Sequence, residues 1–401
     1  MPISPIDVTL LYPDGGKAQV ELRKRSLNRG ADGIIHEAPG GKLALKIYHD
    51  PEKDPDRAEK IWQMVLSPPD DRNLEHFAWP VAQAVNRTGR FIGYAMPLLP
   101  LQEYTSLELL LTRKGRRLAQ LPEFRAFRVQ AAQSLALRVS QLHARGHHII
   151  DMKPANLLVN RKTADIVVVD CDGFSIQADD HLIPGHQYTT GYIAPEAWRR
   201  WAKPEDLGES QDLFALAVII FQLLNEGLHP YEGLPEDDQS LSGDTQSRIG
   251  EDLYAYGQSG NRRIKPSPFS VHQDFPDRLC RALDRAFIPG GERPSAQAWV
   301  ALLGPLSAEL NSCGNDASHT FWGDACPLCD LDSLKLDLTP GTSSPSLAFH
   351  HTAYTFGAQP PMRQAGSIPL FRTIADGRSH NMGSPIVGAQ NLSSTGRHPL
   401  V

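Results

Sequence analysis

Runs of apolar residues along the chain predict a mixture of strands and helices. In LALKIY, residues 43–48, large aliphatic side chains occupy every second position, which is the period of a strand. The run IVVV at 166–169 is apolar without interruption and predicts a buried strand. Apolar residues recur at helical spacing between 58 and 65, and the largely apolar segment 210–224 predicts a buried helix. Together these elements predict an α+β fold.

Candidate chemistry is concentrated in IIDMKPANLLVNRKTADIVVVDCDGF, residues 149–174. Asp151 would orient an acceptor hydroxyl and receive its proton, and Lys153 would steady a transferring phosphoryl group. Asn156 would hold a metal ion through its amide oxygen, and Asp170 would hold the metal that bridges the phosphates. A base, a cation and two metal-binding groups around a buried strand predict phosphoryl transfer. The alternative is a set of carboxylates that only cap turns.

The segment DCDGF, which follows the buried strand, offers two candidate aspartates for the metal. Asp170 comes directly after the apolar run 166–169. Choosing Asp172 would place the charged Asp170 inside the strand, where burial is costly. We therefore favour Asp170 and keep Asp172 as the alternate.

These motifs resemble the catalytic and metal loops of eukaryotic-type protein kinases, whose signature is H-R-D-L-x-x-x-N followed by D-F-G. Here the first triplet is IID, so only Asp151 of it is kept, and DMKPANLLV follows the pattern closely. TTGYIAPE at 189–196 resembles the end of a kinase activation segment. The resemblance implies that Asp212 braces the catalytic loop and that Arg293 pairs with Glu196.

The same resemblance assigns roles near the N-terminus. Gly30 and Gly33 would let backbone amides approach phosphates, with an ordinary hairpin turn as the alternative. Lys46 resembles the lysine that grips the α and β phosphates, with a lysine on the solvated strand face as the alternative. Asp54 as N-cap predicts the start of the next helix. Glu59 on that helix is the candidate ion-pair partner of Lys46. ATP and Mg²⁺, or Mn²⁺, are the implied substrate and cofactor.

A second metal site is predicted near the C-terminus. Cys313, His319, Cys326 and Cys329 form a C-x5-H-x6-C-x2-C pattern, which suits a tetrahedral structural Zn²⁺. Unrelated surface thiols and a chance histidine are the alternative. We therefore expect a two-lobed protein-kinase-like domain at 1–310 with a small zinc knuckle at 311–332 and a largely disordered tail at 333–401. The two lobes would be 1–97 and 98–310.

Composition and charge exclude other classes. A net charge of −6 and a pI near 6.2 give no general attraction to nucleic acid, so no nucleic-acid partner is expected. No segment is apolar enough to cross a membrane, and the N-terminus lacks the pattern of a secretory signal. We therefore expect a cytoplasmic protein without a membrane partner. The basic run at 113–117, which includes Arg116, is expected to be a solvated turn, and Cys171 and Cys280 are expected to be small buried residues.

The chain resembles a group of bacterial protein kinases. The resemblance lies in the combination of an atypical kinase segment, a D-x-D-x-F metal loop and a C-terminal zinc knuckle. Some members carry helix-hairpin-helix segments, a pattern that this chain lacks. Others are encoded with a von Willebrand A protein and a PP2C-type phosphatase in tellurium-resistance-associated triads, and this type is favoured. The resemblance implies Ser/Thr phosphorylation of a protein substrate, with the von Willebrand A-type protein and the PP2C-type phosphatase as partners.

Two other functions remain open on the sequence. Asn28 replaces the first glycine of the phosphate loop, and this change together with the D-C-D-G-F motif supports a pseudokinase or nucleotide-binding scaffold. A small-molecule phosphotransferase is disfavoured by the activation-segment ending at 191–196. Ile150 occupies the position at which many kinases have an arginine, and the charge of that arginine is neutralised by a phosphate on the activation segment. We therefore expect catalysis that does not require phosphate on Thr189 or Thr190.

Overall fold

The computed structural model describes residues 6–22, 26–70, 74–236 and 243–337. The first strands along the chain are β1 (Ile6–Leu11), β2 (Lys17–Leu22), β3 (Ser26–Arg29), β4 (Gly33–Glu37), β5 (Leu43–Tyr48), β6 (Ala82–Val85) and β7 (Phe91–Pro97). They form one antiparallel sheet in the order β2-β1-β6-β7-β5-β4-β3. The helix α1 (Arg57–Leu66) packs against β6 and β7. The predicted strand at 43–48 is confirmed as β5.

Strand β5 is covered on both faces. Leu45 packs with Val8 and Leu10 in a small core on one side of the sheet. Ala44 and Tyr48, on the other side, belong to the main core that also contains residues of α1. Lys46 shares this second face and is buried, so a lysine on a solvated strand face is excluded.

Among the described residues after 97, helices predominate over strands. The remaining helices are α2 (Glu108–Leu111), α3 (Arg113–Ala119), α4 (Arg125–His143), α5 (Pro195–Arg199), α6 (Glu209–Leu224), α7 (Thr245–Gly250), α8 (Asp277–Phe287), α9 (Ala296–Leu303) and α10 (Pro327–Asp337). The strands β8 (Tyr104–Ser106), β9 (Leu157–Asn160) and β10 (Ile166–Val168) form a small sheet in the order β10-β9-β8. Short antiparallel pairs are β11 (Ile176–Gln177) with β12 (Leu182–Ile183), β13 (Gly233–Pro235) with β14 (Ile264–Pro266), and β15 (Asn311–Ser312) with β16 (Thr320–Phe321).

The predicted buried helix is confirmed in α6, whose residues are almost all inaccessible to solvent. It packs against α4 and α8, and α4 also packs against α9. Burial on every side explains why the sequence of α6 shows an apolar run instead of one apolar stripe. The small sheet lies beside α4 through β10, so the loops that carry the candidate residues extend from a rigid core.

Two local predictions were wrong. The helix α1 begins after Asp56, because the Asp54 carboxylate accepts a hydrogen bond from the Asp56 amide and closes the preceding turn instead. The basic run at 113–117 forms α3, and Arg116 is only 1% exposed. Arg116 donates to Glu123 at 3.0 Å and to Glu226 at 2.6 Å, so paired carboxylates offset the cost of its burial.

The C-terminal end of the described chain is ordered further than expected. Helix α10 runs to Asp337 and so crosses the boundary predicted at residue 332. Leu328 and Leu331, in the first part of this helix, pack on Val271. The rest of the predicted tail, 338–401, lies outside the described residues. Across those that are described, no helix is long and apolar enough to span a membrane.

Candidate active site

Asp151 and Lys153 are brought together in the loop between α4 and β9. The Lys153 Nζ lies 2.7 Å from Asp151 Oδ2. The Thr189 hydroxyl donates to Asp151 Oδ1 at 2.6 Å and accepts from Lys153 Nζ at 2.9 Å. A carboxylate, an ammonium group and a hydroxyl thus lie within hydrogen-bond distance of one another. Thr189 contacts the catalytic residues, whereas its neighbour Thr190 is exposed, a difference that the sequence does not indicate.

Asp212, near the start of α6, fixes the backbone of this loop through hydrogen bonds. Its carboxylate accepts hydrogen bonds from Ile149 N at 2.7 Å and from Ile150 N at 2.8 Å. Ile150 adopts φ 61°, which is unfavourable for a β-branched side chain. Two charge-assisted hydrogen bonds offset this strain and fix the residue before Asp151. The predicted bracing role of Asp212 is confirmed.

Asn156 connects the catalytic loop to the metal loop. Its Nδ2 donates to Asp151 O at 3.2 Å, and its own backbone oxygen accepts from Val169 N at 3.0 Å. Val169 immediately precedes Asp170, so the two predicted metal-binding residues are linked through one hydrogen bond. Because the amide nitrogen faces Asp151, the amide oxygen is left for another partner. An amide oxygen is a suitable ligand for Mg²⁺.

Lys46 makes its contacts with the metal loop. Its Nζ lies 3.1 Å from Asp170 Oδ1, and 2.8 and 2.7 Å from the two carboxylate oxygens of Asp172. The Tyr48 hydroxyl donates to Asp172 Oδ2 at 2.8 Å, and the Tyr94 hydroxyl donates to Asp172 Oδ1 at 3.1 Å. Burial alone would lower the pKa of Lys46, but the charges of Asp170 and Asp172 outweigh it and raise this pKa. Lys46 is therefore held as an ammonium ion.

The two aspartates of the metal loop have different environments. Asp170 has a left-handed backbone, φ 59°, and its side chain is 44% exposed. Asp172 lies in the short turn Cys171–Gly173, and its side chain is 9% exposed. Burial would raise the pKa of Asp172, but Lys46 and the two tyrosine hydroxyls reverse this effect and hold it below its ordinary value. The accessible carboxylate of Asp170 and the amide oxygen of Asn156 are both oxygen ligands of the kind that Mg²⁺ prefers.

Tyr48 and Tyr94 were not predicted from the sequence. Tyr48 lies two residues after Lys46, so both side chains share one face of β5. Tyr94 is the direct cross-strand partner of Lys46 on β7. The two-residue spacing is a signal that could have identified Tyr48, whereas Tyr94 requires the register of the sheet. Their hydroxyls satisfy the remaining acceptor sites of a buried carboxylate.

The predicted ion pair between Lys46 and Glu59 is wrong. Glu59 Oε1 accepts a hydrogen bond from Gln63 Nε2 at 2.7 Å on the outer side of α1. The helix instead turns Lys60 inward, and its Nζ donates to Pro184 O at 3.1 Å. Burial lowers the pKa of Lys60 to about 8. The phase of the helix therefore points a cation, not a carboxylate, towards the interior.

Of the two glycines of the predicted phosphate loop, Gly30 lies in the turn between β3 and β4, and Gly33 is the first residue of β4. Gly30 N donates to Gly33 O at 2.8 Å, so this amide is used within the turn. A Cβ on Gly33 would lie 2.5 Å from Ile47 O, so a glycine is required there for β4 to pair closely with β5. This pairing explains Gly33 without any ligand. A phosphate-binding role for the two glycines stays a prediction.

The end of the activation segment is anchored as expected. Arg293 donates to Glu196 Oε1 at 2.5 Å and to Oε2 at 2.9 Å, a bidentate pair. The guanidinium also donates to the hydroxyl of Ser210 at 2.7 Å, which connects the pair to α6. The side chain of Arg293 is largely buried. The predicted partnership of Arg293 and Glu196 is confirmed.

The four predicted zinc ligands lie close together. One donor atom from each of Cys313, His319, Cys326 and Cys329 falls within 4.8 Å of the others. His319 Nδ1 faces Cys326 Sγ at 3.7 Å and Cys329 Sγ at 3.6 Å. His319 Nε2 lies 3.3 Å from a carboxylate oxygen of Asp332. A ligating histidine whose second nitrogen meets a carboxylate is typical of zinc sites, so these residues fit Zn²⁺.

The small module that carries these ligands is attached to the helical region. The Asp332 carboxylate also pairs with Arg113 of α3. Trp322 donates from its indole nitrogen to Leu306 O at 2.9 Å, and its ring lies 4.8 Å from the guanidinium of Arg125. Arg125 in turn pairs with Asp274. The cysteine and histidine cluster is therefore joined to the larger core by polar and aromatic contacts.

Comparisons with known proteins agree with this geometry. Residues 101–267 match the family model described as "Protein kinase domain". Protein kinase YegI of Escherichia coli K12 is 28% identical over 326 residues, which cover 77% of this chain and 48% of YegI. Ribosomal protein S6 kinase alpha-2 of Mus musculus is 24% identical over 229 residues, which cover 55% of this chain and 27% of that kinase.

The match to the family model begins at residue 101, after the seven-stranded sheet, and includes Asp151, Lys153, Asn156 and Asp170. The chain spans about half the length of YegI, the bacterial relative that it matches. Motif order and the hydrogen bonds of the loop that carries Asp151 agree with this match. Residues 101–267 are therefore similar to a protein kinase domain.

Proposed function

We propose that the protein is an ATP-dependent Ser/Thr protein kinase. The observation that carries this proposal is the series of contacts from Asp151 through Asn156 to the metal loop and on to Lys46. A base for the acceptor, a metal-binding pair and a phosphate-binding lysine are thereby connected in one cluster. Phosphoryl transfer needs positioning and charge stabilisation of this kind.

In this proposal the acceptor hydroxyl oxygen forms a bond to the γ-phosphorus while the bond from that phosphorus to the ADP oxygen breaks. Asp151 orients the hydroxyl and takes its proton, and Lys153 neutralises charge on the transferring group. Lys46 holds the α and β phosphates. Asp170 and Asn156 would hold Mg²⁺ or Mn²⁺, which supplies positive charge along the phosphate chain when it is bound.

The choice of serine and threonine as acceptors rests on the resemblance to the group of bacterial protein kinases described above. The experiment is incubation of the full chain with γ-labelled ATP, Mg²⁺ or Mn²⁺ and a generic protein substrate, followed by identification of the phosphorylated residues by mass spectrometry. Phosphoserine and phosphothreonine are expected. Exclusive phosphotyrosine would overturn the specificity, and binding of nucleotide without transfer would support a nucleotide-binding scaffold.

We propose further that Cys313, His319, Cys326 and Cys329 bind one structural Zn²⁺. The proposal is supported by the closeness of the four donor atoms and by the carboxylate beside His319. The residues around this site form only short strands and one helix, so a bound metal would contribute to their folding.

The proposed partners are a protein substrate, a von Willebrand A-type protein and a PP2C-type phosphatase, in a bacterial signalling module of the kind associated with tellurium resistance. This part of the proposal rests on the resemblance to the triad kinases. Its test is phosphorylation of a co-expressed von Willebrand A protein, followed by dephosphorylation by the PP2C enzyme. If the von Willebrand A protein stays unmodified while a generic substrate is phosphorylated, the partner is wrong and the kinase activity stands.

A further inference from the structure

Lys46 has two carboxylate neighbours that differ in how they are held. Both oxygens of Asp172 lie within 2.8 Å of the Lys46 Nζ, whereas Asp170 reaches it with one oxygen at 3.1 Å. The hydroxyls of Tyr48 and Tyr94 occupy the remaining acceptor sites of Asp172. The buried Asp172 therefore has a complete set of protein partners. The carboxylate of Asp170 is more exposed and can accept a further ligand.

Helix α1 supplies no carboxylate to this lysine. Protein kinases hold the equivalent lysine with a glutamate of the helix that follows it. Here Glu59 is bonded to Gln63, and the inward position is taken by Lys60, which donates to a backbone oxygen of the activation segment, Pro184 O. Lys60 is a cation and therefore cannot supply the negative charge that would position the ammonium group of Lys46.

We propose that Asp172 is the positioning residue for Lys46 and takes the place of the helix glutamate, while Asp170 is left to bind the metal. The inference rests on the proposed kinase function. Strand β5 supplies Lys46 and Tyr48, the neighbouring β7 supplies Tyr94, and the metal loop supplies the carboxylate. The position of Lys46 is therefore set by the sheet and the metal loop and does not require a particular position of α1.

The chemistry of a buried carboxylate supports this division of roles. An ionised group removed from water needs several hydrogen bonds or ion pairs, and Asp172 has them from one ammonium group and two hydroxyls. Binding a hydrated Mg²⁺ would require breaking these contacts, since Mg²⁺ keeps several waters and demands octahedral geometry. Asp170 can accept a metal without that loss.

The experiment compares Asp172→Asn, Asp170→Asn and Glu59→Gln, which all replace a carboxylate by an amide. Affinity for a fluorescent ATP analogue is measured with Mg²⁺ and with a chelator, and turnover is measured in parallel. For Asp172→Asn we expect kcat to fall at least tenfold. The increase in nucleotide affinity on addition of Mg²⁺ should be the same as in the wild type. For Asp170→Asn that gain should disappear, and Glu59→Gln should stay within about twofold in both measurements.

A double-mutant cycle tests whether Asp172 acts through Lys46. In a Lys46→Met background, Asp172→Asn should lower single-turnover phosphotransfer no further. Should Asp172→Asn fail to fold, Tyr48→Phe combined with Tyr94→Phe removes two hydrogen bonds from Asp172 and keeps both rings. This pair should lower kcat at least fivefold in the wild-type background and leave the Lys46→Met protein unchanged.

Three results would overturn the inference. They are loss of the Mg²⁺ effect in Asp172→Asn, an equal loss of activity in Glu59→Gln, or an additive loss in the Lys46→Met background. If the wild type binds nucleotide but transfers no phosphate, the proposed kinase function fails. The Mg²⁺ dependence of Asp170→Asn and Asp172→Asn still decides which aspartate serves the metal, so the two failures are distinguishable.

Discussion

Replacing Thr189 by valine removes one hydroxyl from the catalytic cluster and keeps the shape of the side chain. The hydroxyl donates a 2.6 Å hydrogen bond to Asp151 and accepts one of 2.9 Å from Lys153. A hydrogen bond to a charged group contributes about 1.5–3 kcal/mol, and the partial exposure of Thr189 and Asp151 places this one near 1.5–2 kcal/mol. That free energy corresponds to a loss of about ten- to thirtyfold in kcat.

The assay is steady-state phosphorylation of a generic protein substrate, with kcat and the KM for ATP determined separately. Thr189→Ser keeps the hydroxyl and should retain most of the activity. Thr190→Val is the matched control, because Thr190 is exposed, and it should stay within about twofold. Equal losses at the two positions, together with phosphate mapped to either threonine in the active wild type, would show that the role is regulatory modification instead of positioning.

Other predictions concern the metal, stability and the loop backbone. The full chain should contain about one zinc per molecule by elemental analysis. Cys326→Ser should lose the metal and make the zinc module sensitive to proteolysis, while nucleotide binding persists. A stable zinc-free preparation would rule out the structural metal. Glu226→Gln should lower the free energy of unfolding at neutral pH by about 3 kcal/mol, because buried arginines outweigh the effect of burial and hold the pKa of Glu226 at about 2. The stabilisation by ionised Glu226 should be complete above the ordinary pKa of 4.5 and should be lost as the pH falls towards 2. The control, Glu123→Gln, should change the free energy of unfolding far less. Urea titrations at several pH values check both expectations. Asp212→Asn should cost about 2 kcal/mol of stability and at least tenfold in kcat, because an amide cannot accept both backbone hydrogen bonds, one from Ile149 and one from Ile150. Unchanged turnover would contradict the bracing role.

Elements with a strong local signal were predictable from the sequence. The apolar runs predicted β10 and α6 because both are buried on all sides, so the pattern does not depend on which neighbours cover them. The closeness of the four predicted zinc ligands was predictable for a similar reason. Cys313, His319, Cys326 and Cys329 are near one another in sequence, and their donor atoms lie within 4.8 Å of one another.

The phase of α1 was predicted only in part. The apolar residues Ile61 and Val65 are buried as their spacing indicates, but the structure also buries Lys60 and Met64. A buried lysine breaks the apolar stripe from which the phase of a helix is inferred. Its burial depends on the carbonyl of Pro184, which is distant in sequence. The predicted partner of Lys46 was wrong because Lys60 contacts Pro184, whereas Glu59 lies on the outer side of the helix and contacts Gln63.

The roles of Asp172 and Thr189 also depended on contacts that sequence patterns do not contain. The sequence placed Asp172 beside Asp170 without showing which of them would be buried. That difference arises from Tyr94, a cross-strand neighbour of Lys46, and so from the register of the sheet. Likewise, adjacent threonines look alike in sequence, and only the path of the activation segment directs Thr189 towards Asp151.

The central claim is that Asp151 is the base of a phosphotransferase site. Its most direct test is single-turnover transfer from γ-labelled ATP by the wild type and by Asp151→Asn, with Asp277→Asn, an exposed carboxylate on α8, as the control. A base contributes about 10²–10⁴-fold. We predict a loss of this size in Asp151→Asn with unchanged nucleotide affinity and an unchanged melting temperature, and wild-type rates in Asp277→Asn. Transfer by Asp151→Asn within tenfold of the wild type, or a wild type that binds ATP without transferring phosphate, would contradict the account.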